Sequence, residues 1–333
     1  MLFSEITKVK LIEEPTALET MERLQKHLGC ASVYVKRDDC MTLGMGGNKV
    51  RSLEYWMGEA QRINADVIVV AGAPVSNQCR LAAAAAAKLG IKCLVLHSSE
   101  PGAKIEGNLL LNYLLGAEVR FIGAVDEVRR KEIALEEIVK LKAAGHTPYL
   151  IGDPIVGAMG YLSCALELHE QAKLKNAGIK HVFLPGSMGT TEAGFILGNK
   201  MLGYPFEIHL ISVEYSISEL GNRIEEICTN TSKHWGFNFN SLSWNKNVHI
   251  YDQYLGGGYD IPTEKSLEAI SLAASLEGFF LENTYTSKTF AGMVDLLQND
   301  KTIKDEVSCF IHTGGLPTLF ALGDEINKKL ICN

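Results

Sequence analysis

The chain has no excess of positive charge: 32 Lys and Arg stand against 39 Asp and Glu, a net charge of −7. A nucleic-acid partner needs clustered cations to neutralise phosphates, and no such cluster occurs, which argues against one. No apolar run approaches the roughly 18 residues that cross a bilayer. Residues Met1 to Glu5 lack the basic-then-apolar layout of a secretory leader, so the cytosol is the expected compartment. The eight cysteines (Cys30, Cys40, Cys79, Cys93, Cys164, Cys228, Cys309 and Cys332) form no CxxC pair, and no His lies at ligand spacing from them. A metal centre is therefore not expected, and the thiols are read as reduced and mostly buried. Internal repeats, low-complexity tracts and long linkers are missing too. What remains, 47% hydrophobic over 333 residues, supplies a large core and suits two lobes sharing a cleft better than one domain.

Short β-branched runs alternate with helical stretches along nearly the whole chain. Strands are expected at 32–35, 67–71, 92–96, 118–122, 148–151, 181–184, 208–213 and 308–312. Helices are expected at 52–62, 79–89, 107–115, 126–142, 161–176 and 192–201. Continuous apolar strands separated by helices predict an α/β fold with parallel-rich sheets covered on both faces. In such sheets ligands lie beyond the carboxyl ends of the strands, so the loops there are the places to search.

Five of those loops are chemically unusual. Gly44-Met45-Gly46-Gly47-Asn48-Lys49 enters a helix. Its glycines allow close backbone approach, and a Lys behind them would be partly desolvated, which frees an amine for attack on a carbonyl. The same string also fits an ordinary turn with a solvated Lys. Its spacing is wrong for a nucleotide P-loop. Ala73-Pro74-Val75-Ser76-Asn77-Gln78 presents side-chain donors and free N–H groups at a helix start, suited to a carboxylate, although Ser76 or Asn77 as a plain N-cap explains part of it. Pro185-Gly186-Ser187-Met188-Gly189-Thr190-Thr191 gathers N–H groups and hydroxyls at a helix N-terminus, where a phosphate would sit. It is not the Gly-x-Gly-x-x-Gly of a dinucleotide site. His312-Thr313-Gly314-Gly315 follows a strand, and two tyrosines, Tyr259 and Tyr285, stand in Gly-rich and Thr-rich loops.

In order along the chain, Lys36-Arg37-Asp38-Asp39-Cys40, Gly46-Gly47-Asn48-Lys49, Ser76-Asn77-Gln78, Gly189-Thr190-Thr191-Glu192-Ala193-Gly194, Tyr259, Tyr285 and His312-Thr313-Gly314-Gly315 resemble the D-cysteine desulfhydrase and 1-aminocyclopropane-1-carboxylate deaminase family. These are tryptophan-synthase-β-like, fold type II pyridoxal-phosphate enzymes, and the resemblance covers nearly the whole chain. It implies pyridoxal 5'-phosphate held as a Schiff base on Lys49, with Asn77 on its phenolic oxygen. Met188, Gly189, Thr190 and Thr191 would form the phosphate cup. Ser76, Asn77 and Gln78 would take the substrate carboxylate, and Lys49, Ser76, Tyr259 and Tyr285 would be the catalytic set. It further implies a large cofactor domain, 1–51 with 161–333, a small domain, 52–160, and a homodimer. Three departures concern the substrate more than the cofactor: Ala73-Pro74-Val75 before the Ser-Asn pair, Met188 in the cup, and Leu316 after Gly314-Gly315.

The partner of the cofactor's pyridine nitrogen sets how strong an electron sink the ring is. The matching positions here are Thr286 and Thr313, both hydroxyls, where the deaminase branch tends to carry Glu and Leu. A weaker sink suits β-elimination, in which the leaving group removes the developing charge. The expected reaction is therefore elimination from a cysteine-like amino acid, D-cysteine first, to pyruvate, ammonia and sulfide. Cyclopropane-ring opening and elimination of sulfite from L-cysteate are the alternatives, and a non-catalytic α/β binding protein is the remote one.

Overall fold

A computed structural model describes residues 6–102, 104–237 and 244–322; Met1 to Glu5 and Cys332 lie outside them. The strands run β1 (Leu18–Thr20), β2 (Val33–Lys36), β3 (Val67–Gly72), β4 (Lys92–His97), β5 (Glu118–Phe121), β6 (Pro148–Leu150), β7 (His181–Gly186), β8 (Glu207–Ser212), β9 (Val248–Tyr251) and β10 (Ser308–Ile311). The helices are α1 (Glu22–Leu28), α2 (Lys49–Arg62), α3 (Asn77–Leu89), α4 (Gly107–Leu114), α5 (Glu127–Ala143), α6 (Pro154–Leu174), α7 (Thr190–Met201), α8 (Ile217–Trp235), α9 (Glu264–Glu277), α10 (Thr286–Asn299), α11 (Lys301–Asp305) and α12 (Leu316–Leu319).

Two sheets form. One has six strands in the order β1-β2-β10-β7-β8-β9, drawn from both ends of the sequence; the other has four, β5-β4-β3-β6, from its middle. Every pairing is parallel except β1 with β2. The central strands are apolar and fully buried, as in Val67–Val70 and Val182–Leu184, because helices cover both faces. This is the α/β, parallel-rich architecture expected.

Helices α2 and α6 join the two halves, and small residues let them meet. A Cβ on Gly160 of α6 would stand 2.4 Å from the Ser52 nitrogen of α2, and one on Gly194 of α7 would stand 2.1 Å from the Ala158 carbonyl oxygen of α6. A buried, charge-balanced network lies at the same junction. The Arg51 guanidinium grips Asp38 at 2.8 Å and Glu167 at 2.9 Å, Tyr161 donates to Asp38 at 2.8 Å, and Lys36 donates to Glu167 and, at 2.7 Å, to Gln171. Two cations meet two carboxylates with their hydrogen bonds satisfied, the condition under which buried charge is tolerated. The network clamps the first turn of α2, where Lys49 sits.

Several boundaries differ from those the periodicity predicts. Helix α6 begins at Pro154 rather than at 161: Asp153 caps it, accepting from the Ile155 N–H at 2.9 Å, with Pro at the first position. Helix α2 begins at Lys49 and α3 at Asn77, each two or three residues early. Strands β1 and β9, with half-exposed patterns, are not legible as apolar runs.

Candidate active site

The carboxyl ends of β3 and β6 from one sheet and of β7, β8 and β10 from the other face a common cleft of about 340 Å³. That lies within the ordinary range, roughly 300–1,000 Å³, for small-molecule sites. Its lining includes Asn48, Lys49, Ser76, Asn77, Gln78, Met188, Thr190, Thr191, Tyr259, Tyr285 and Thr313. Residues chosen from five separate loops thus come together.

The Lys49 ammonium lies 3.4 Å from the Thr191 hydroxyl, and Asn48 donates to the same oxygen at 3.1 Å. No carboxylate pairs with Lys49 among the described residues. Burial lowers its pKa, and the more distant charge of Glu192 only partly opposes this. A larger share of neutral amine results, which is what attack on a carbonyl requires. The loop holding Lys49 packs against His312-Thr313-Gly314-Gly315: the Asn48 N–H donates to the Thr313 carbonyl at 3.0 Å. Gly314 has φ +88°, and a Cβ there would lie 2.6 Å from the Gly47 Cα, so both the backbone angle and the space exclude a side chain. His312 is buried and fixes this turn. Its Nδ1 accepts from the Gly314 N–H at 3.2 Å, so its proton is on Nε2, which donates to the Phe280 carbonyl at 2.9 Å.

Ser76 is the N-cap of α3, its hydroxyl accepting from the Cys79 N–H at 3.3 Å. The capping and carboxylate-binding roles are therefore compatible, since the loop's side chains still line the cleft. At the start of α7, Gly189 adopts φ +89° as the N-cap, and the amides of the first turn have no helical partner. Glu192 turns back to accept from the Ser187 N–H at 2.5 Å, which shapes the loop; burial raises its pKa. The first-turn amides, two Thr residues and the positive end of a twelve-residue helix fit a phosphate.

The Tyr259 and Tyr285 hydroxyls are 2.6 Å apart, and burial pushes both phenols above their ordinary range. Lys288 holds the Tyr259 loop by donating to the carbonyls of Leu255 and Gly258, each at 2.8 Å. Of the two hydroxyls expected beside the ring, Thr313 reaches the cleft. Thr286 does not. Its hydroxyl accepts from the Glu282 N–H at 2.8 Å and donates to the Glu282 carboxylate at 3.1 Å, while that carboxylate accepts from the backbone N–H groups of residues 284, 285 and 286.

The cleft also contains residues that sequence reasoning passed over: Trp56, Arg130, Glu192 and Glu214. Glu192 was legible as the third residue of a helix opening at Gly189. Glu214, which accepts from the Ser187 hydroxyl at 2.6 Å, follows the carboxyl end of β8 and was open to the same loop rule. Trp56 and Arg130 lie inside helices, where no local signal marks them. No cluster of His, Cys, Asp or Glu suited to a metal occurs among the described residues. Cys79, Cys93, Cys164, Cys228 and Cys309 are buried free thiols, whereas Cys40 is exposed.

A desolvated lysine, a phosphate-fitting helix start and Asn77 in the wall of a cleft of this size match pyridoxal phosphate, and comparison with known proteins agrees. The sequence profile of the pyridoxal-phosphate dependent enzymes matches residues 9–314. D-cysteine desulfhydrases of Salmonella paratyphi B and Salmonella choleraesuis are each 34% identical over 323 residues, covering 94% of this chain and 95% of theirs. The crystal structure of a 1-aminocyclopropane-1-carboxylate deaminase homologue superposes with a TM-score of 0.89 at 30% identity, covering 98% of both chains. A threonine deaminase isoform from Solanum lycopersicum, with a TM-score of 0.68 at 18% identity, shares the fold. The chain belongs to the pyridoxal-phosphate dependent enzymes, in the family of the D-cysteine desulfhydrases and 1-aminocyclopropane-1-carboxylate deaminases.

Proposed function

We propose that the protein catalyses β-elimination from a cysteine-like amino acid, D-cysteine first, converting it with one water to pyruvate, ammonia and sulfide. The observation that carries this reading is Thr313. Of the two positions that distinguish the branches, it is the one in the cleft, and it carries a neutral hydroxyl, while the Glu282 carboxylate beside Thr286 is engaged by backbone amides. The 34% identity to proteins named D-cysteine desulfhydrases supports it.

When bound, the cofactor supplies an electron sink that lets a proton leave the α carbon and a substituent leave the β carbon. Lys49 is the residue that would bind it, with Asn77 at its phenolic oxygen, Thr313 at its ring, and Met188, Gly189, Thr190 and Thr191 at its phosphate. Thr286 acts indirectly in this reading, by holding Glu282 and the start of α10. Ser76, Asn77 and Gln78 orient the substrate carboxylate. The Lys49 amine, its pKa lowered by burial, would take the α proton. The Tyr259–Tyr285 pair holds a proton on its phenol oxygens for the departing sulfur, because burial disfavours either phenolate.

The same proposal assigns a large unit of residues 1–51 and 161–333 and a small one of 52–160, with one sheet each and the junctions inside α2 and α6. It also includes a homodimer and a cytosolic location. No described helix is long and apolar enough to cross a membrane. Leu110, Tyr113 and Leu114 form an exposed apolar stripe on α4 that a second subunit would cover. A panel of D-cysteine, L-cysteine, L-cysteate and the cyclopropane amino acid, scored by release of keto acid, tests the reaction. The highest kcat/KM is expected on D-cysteine. A higher value on the cyclopropane substrate overturns the elimination reading and leaves Lys49 and the cofactor in place.

A further inference from the structure

Arg80 lies one turn into α3, behind Asn77, and is completely buried. Arg51, equally buried, has Asp38 and Glu167 as counter-ions, but no carboxylate pairs with Arg80 among the described residues. Its donors go to neutral oxygens: Nη1 to Asn77 Oδ1 at 3.3 Å and Asn108 Oδ1 at 2.9 Å, and Nη2 to the Gly46 carbonyl at 2.7 Å. Its Nε has no partner. Burial lowers its pKa to about 10, so it is still a cation at neutral pH. A residue serving only to fill this space would be more stable without the charge, because an uncompensated buried cation is strongly disfavoured.

The contacts around it allow one amide orientation. Asn108 Nδ2 donates to the Val75 carbonyl at 2.6 Å and to Asn77 Oδ1 at 3.0 Å, which turns Asn108 Oδ1 towards Arg80. Asn77 Oδ1 thus receives two donors. Flipping either amide would set donor against donor. The Asn77 NH2 group is left to face the cleft, which Asn77 lines.

We propose that Arg80 is a positioning residue. It locks Asn77 with its NH2 group towards the cofactor and, as a cation lacking its own anion, favours the deprotonated phenolic oxygen that this NH2 group meets. The same guanidinium holds the Gly46 carbonyl, three residues before Lys49, so one charge fixes the loops on two sides of the cofactor. The bound ligand is then the missing counter-ion. This inference rests on the cofactor placement proposed above.

The test uses the protein reconstituted with pyridoxal phosphate and reads the visible absorbance of the lysine-bound cofactor against pH, cofactor affinity by fluorescence, and melting of the cofactor-free protein. Arg80→Met should raise the midpoint of the absorbance titration by about one unit, as expected on removing a nearby opposite charge, and should weaken cofactor binding about tenfold. Arg80→Lys keeps the charge and should leave the midpoint close to the parent's. In an Asn77→Ala background the effect of Arg80→Met should largely vanish. Arg80→Gln carries the measurement if the Met variant does not fold. The role is overturned if the neutral variants lower the melting temperature while leaving the midpoint and affinity unchanged, or if the shift persists undiminished in Asn77→Ala. A parent protein that stays colourless with the cofactor overturns the cofactor placement itself, and Arg80's role with it.

Discussion

Gly314→Ala adds one methyl group where two active-site loops touch. Gly314 has φ +88°, and the new carbon would stand 2.6 Å from the Gly47 Cα and 3.3 Å from its nitrogen, whereas ordinary contact begins at 3.4 Å. The left-handed backbone costs an alanine about 1–2 kcal/mol, and forcing a methyl into packed backbone costs about 1–3 kcal/mol. A rigid junction should therefore lose about 2–5 kcal/mol of stability. If the loops instead part by roughly 1 Å, stability is spared, but Lys49, two residues beyond Gly47, is displaced. A displacement of that size in a catalytic group lowers turnover by about 100-fold. Denaturant titration and pyruvate release, measured on one preparation, cover both cases. Stability within about 0.5 kcal/mol of the parent together with turnover within about twofold would refute the contact and the argument built on it.

Two further predictions concern the phosphate and the pH dependence. Thr191→Ala should weaken cofactor retention by about 1.5–3 kcal/mol, the range for hydrogen bonds to a charged group; unchanged affinity, measured by fluorescence titration, would count against a phosphate at the start of α7. Burial, aided by His181 and His249, pushes His209 down to about 2, so it is neutral when folded but takes a proton near pH 6.5 when unfolded. Its share of stability is complete above pH 6.5 and is lost as pH falls below it, about 1.4 kcal/mol between pH 7.5 and 5.5. His209→Asn should remove that part of the slope in urea midpoints at the two pH values, and equal slopes in both proteins would contradict it.

Most of the strands were legible because the buried parallel strands are continuous apolar runs, as in Val67–Val70, and their carboxyl ends pointed to the loops that matter; the order of the strands in the two sheets was not. Helix starts were less legible. Lys49, Asn77 and Pro154 each open a helix before its apolar periodicity begins, so pattern reading placed those boundaries late, although Asp153-Pro154 was a usable signal. Strands β1 and β9 owe their existence to neighbours rather than to their own composition. Within the site, residue types that carry chemistry in Gly-rich loops stood out, whereas the direction of a side chain did not. Thr286 and Thr313 look alike in sequence, yet one hydroxyl caps Glu282 and the other lines the cleft. Arg80 was illegible for a related reason: its significance is the absence of a counter-ion, which only the packed structure displays.

On the proposed reading, Lys49 carries the cofactor. Among the described residues Lys36, Lys49 and Lys288 are drawn inside the protein, and of these three Lys49 opens onto the cleft: Lys36 is paired with Glu167, and Lys288 is bound to two carbonyls. Borohydride reduction of the protein loaded with pyridoxal phosphate, followed by peptide mapping, should place the cofactor's mass on Lys49 alone, and Lys49→Ala should show no stoichiometric label. A label on Lys36, Lys288 or a surface lysine, with Lys49 unmodified, would contradict the account.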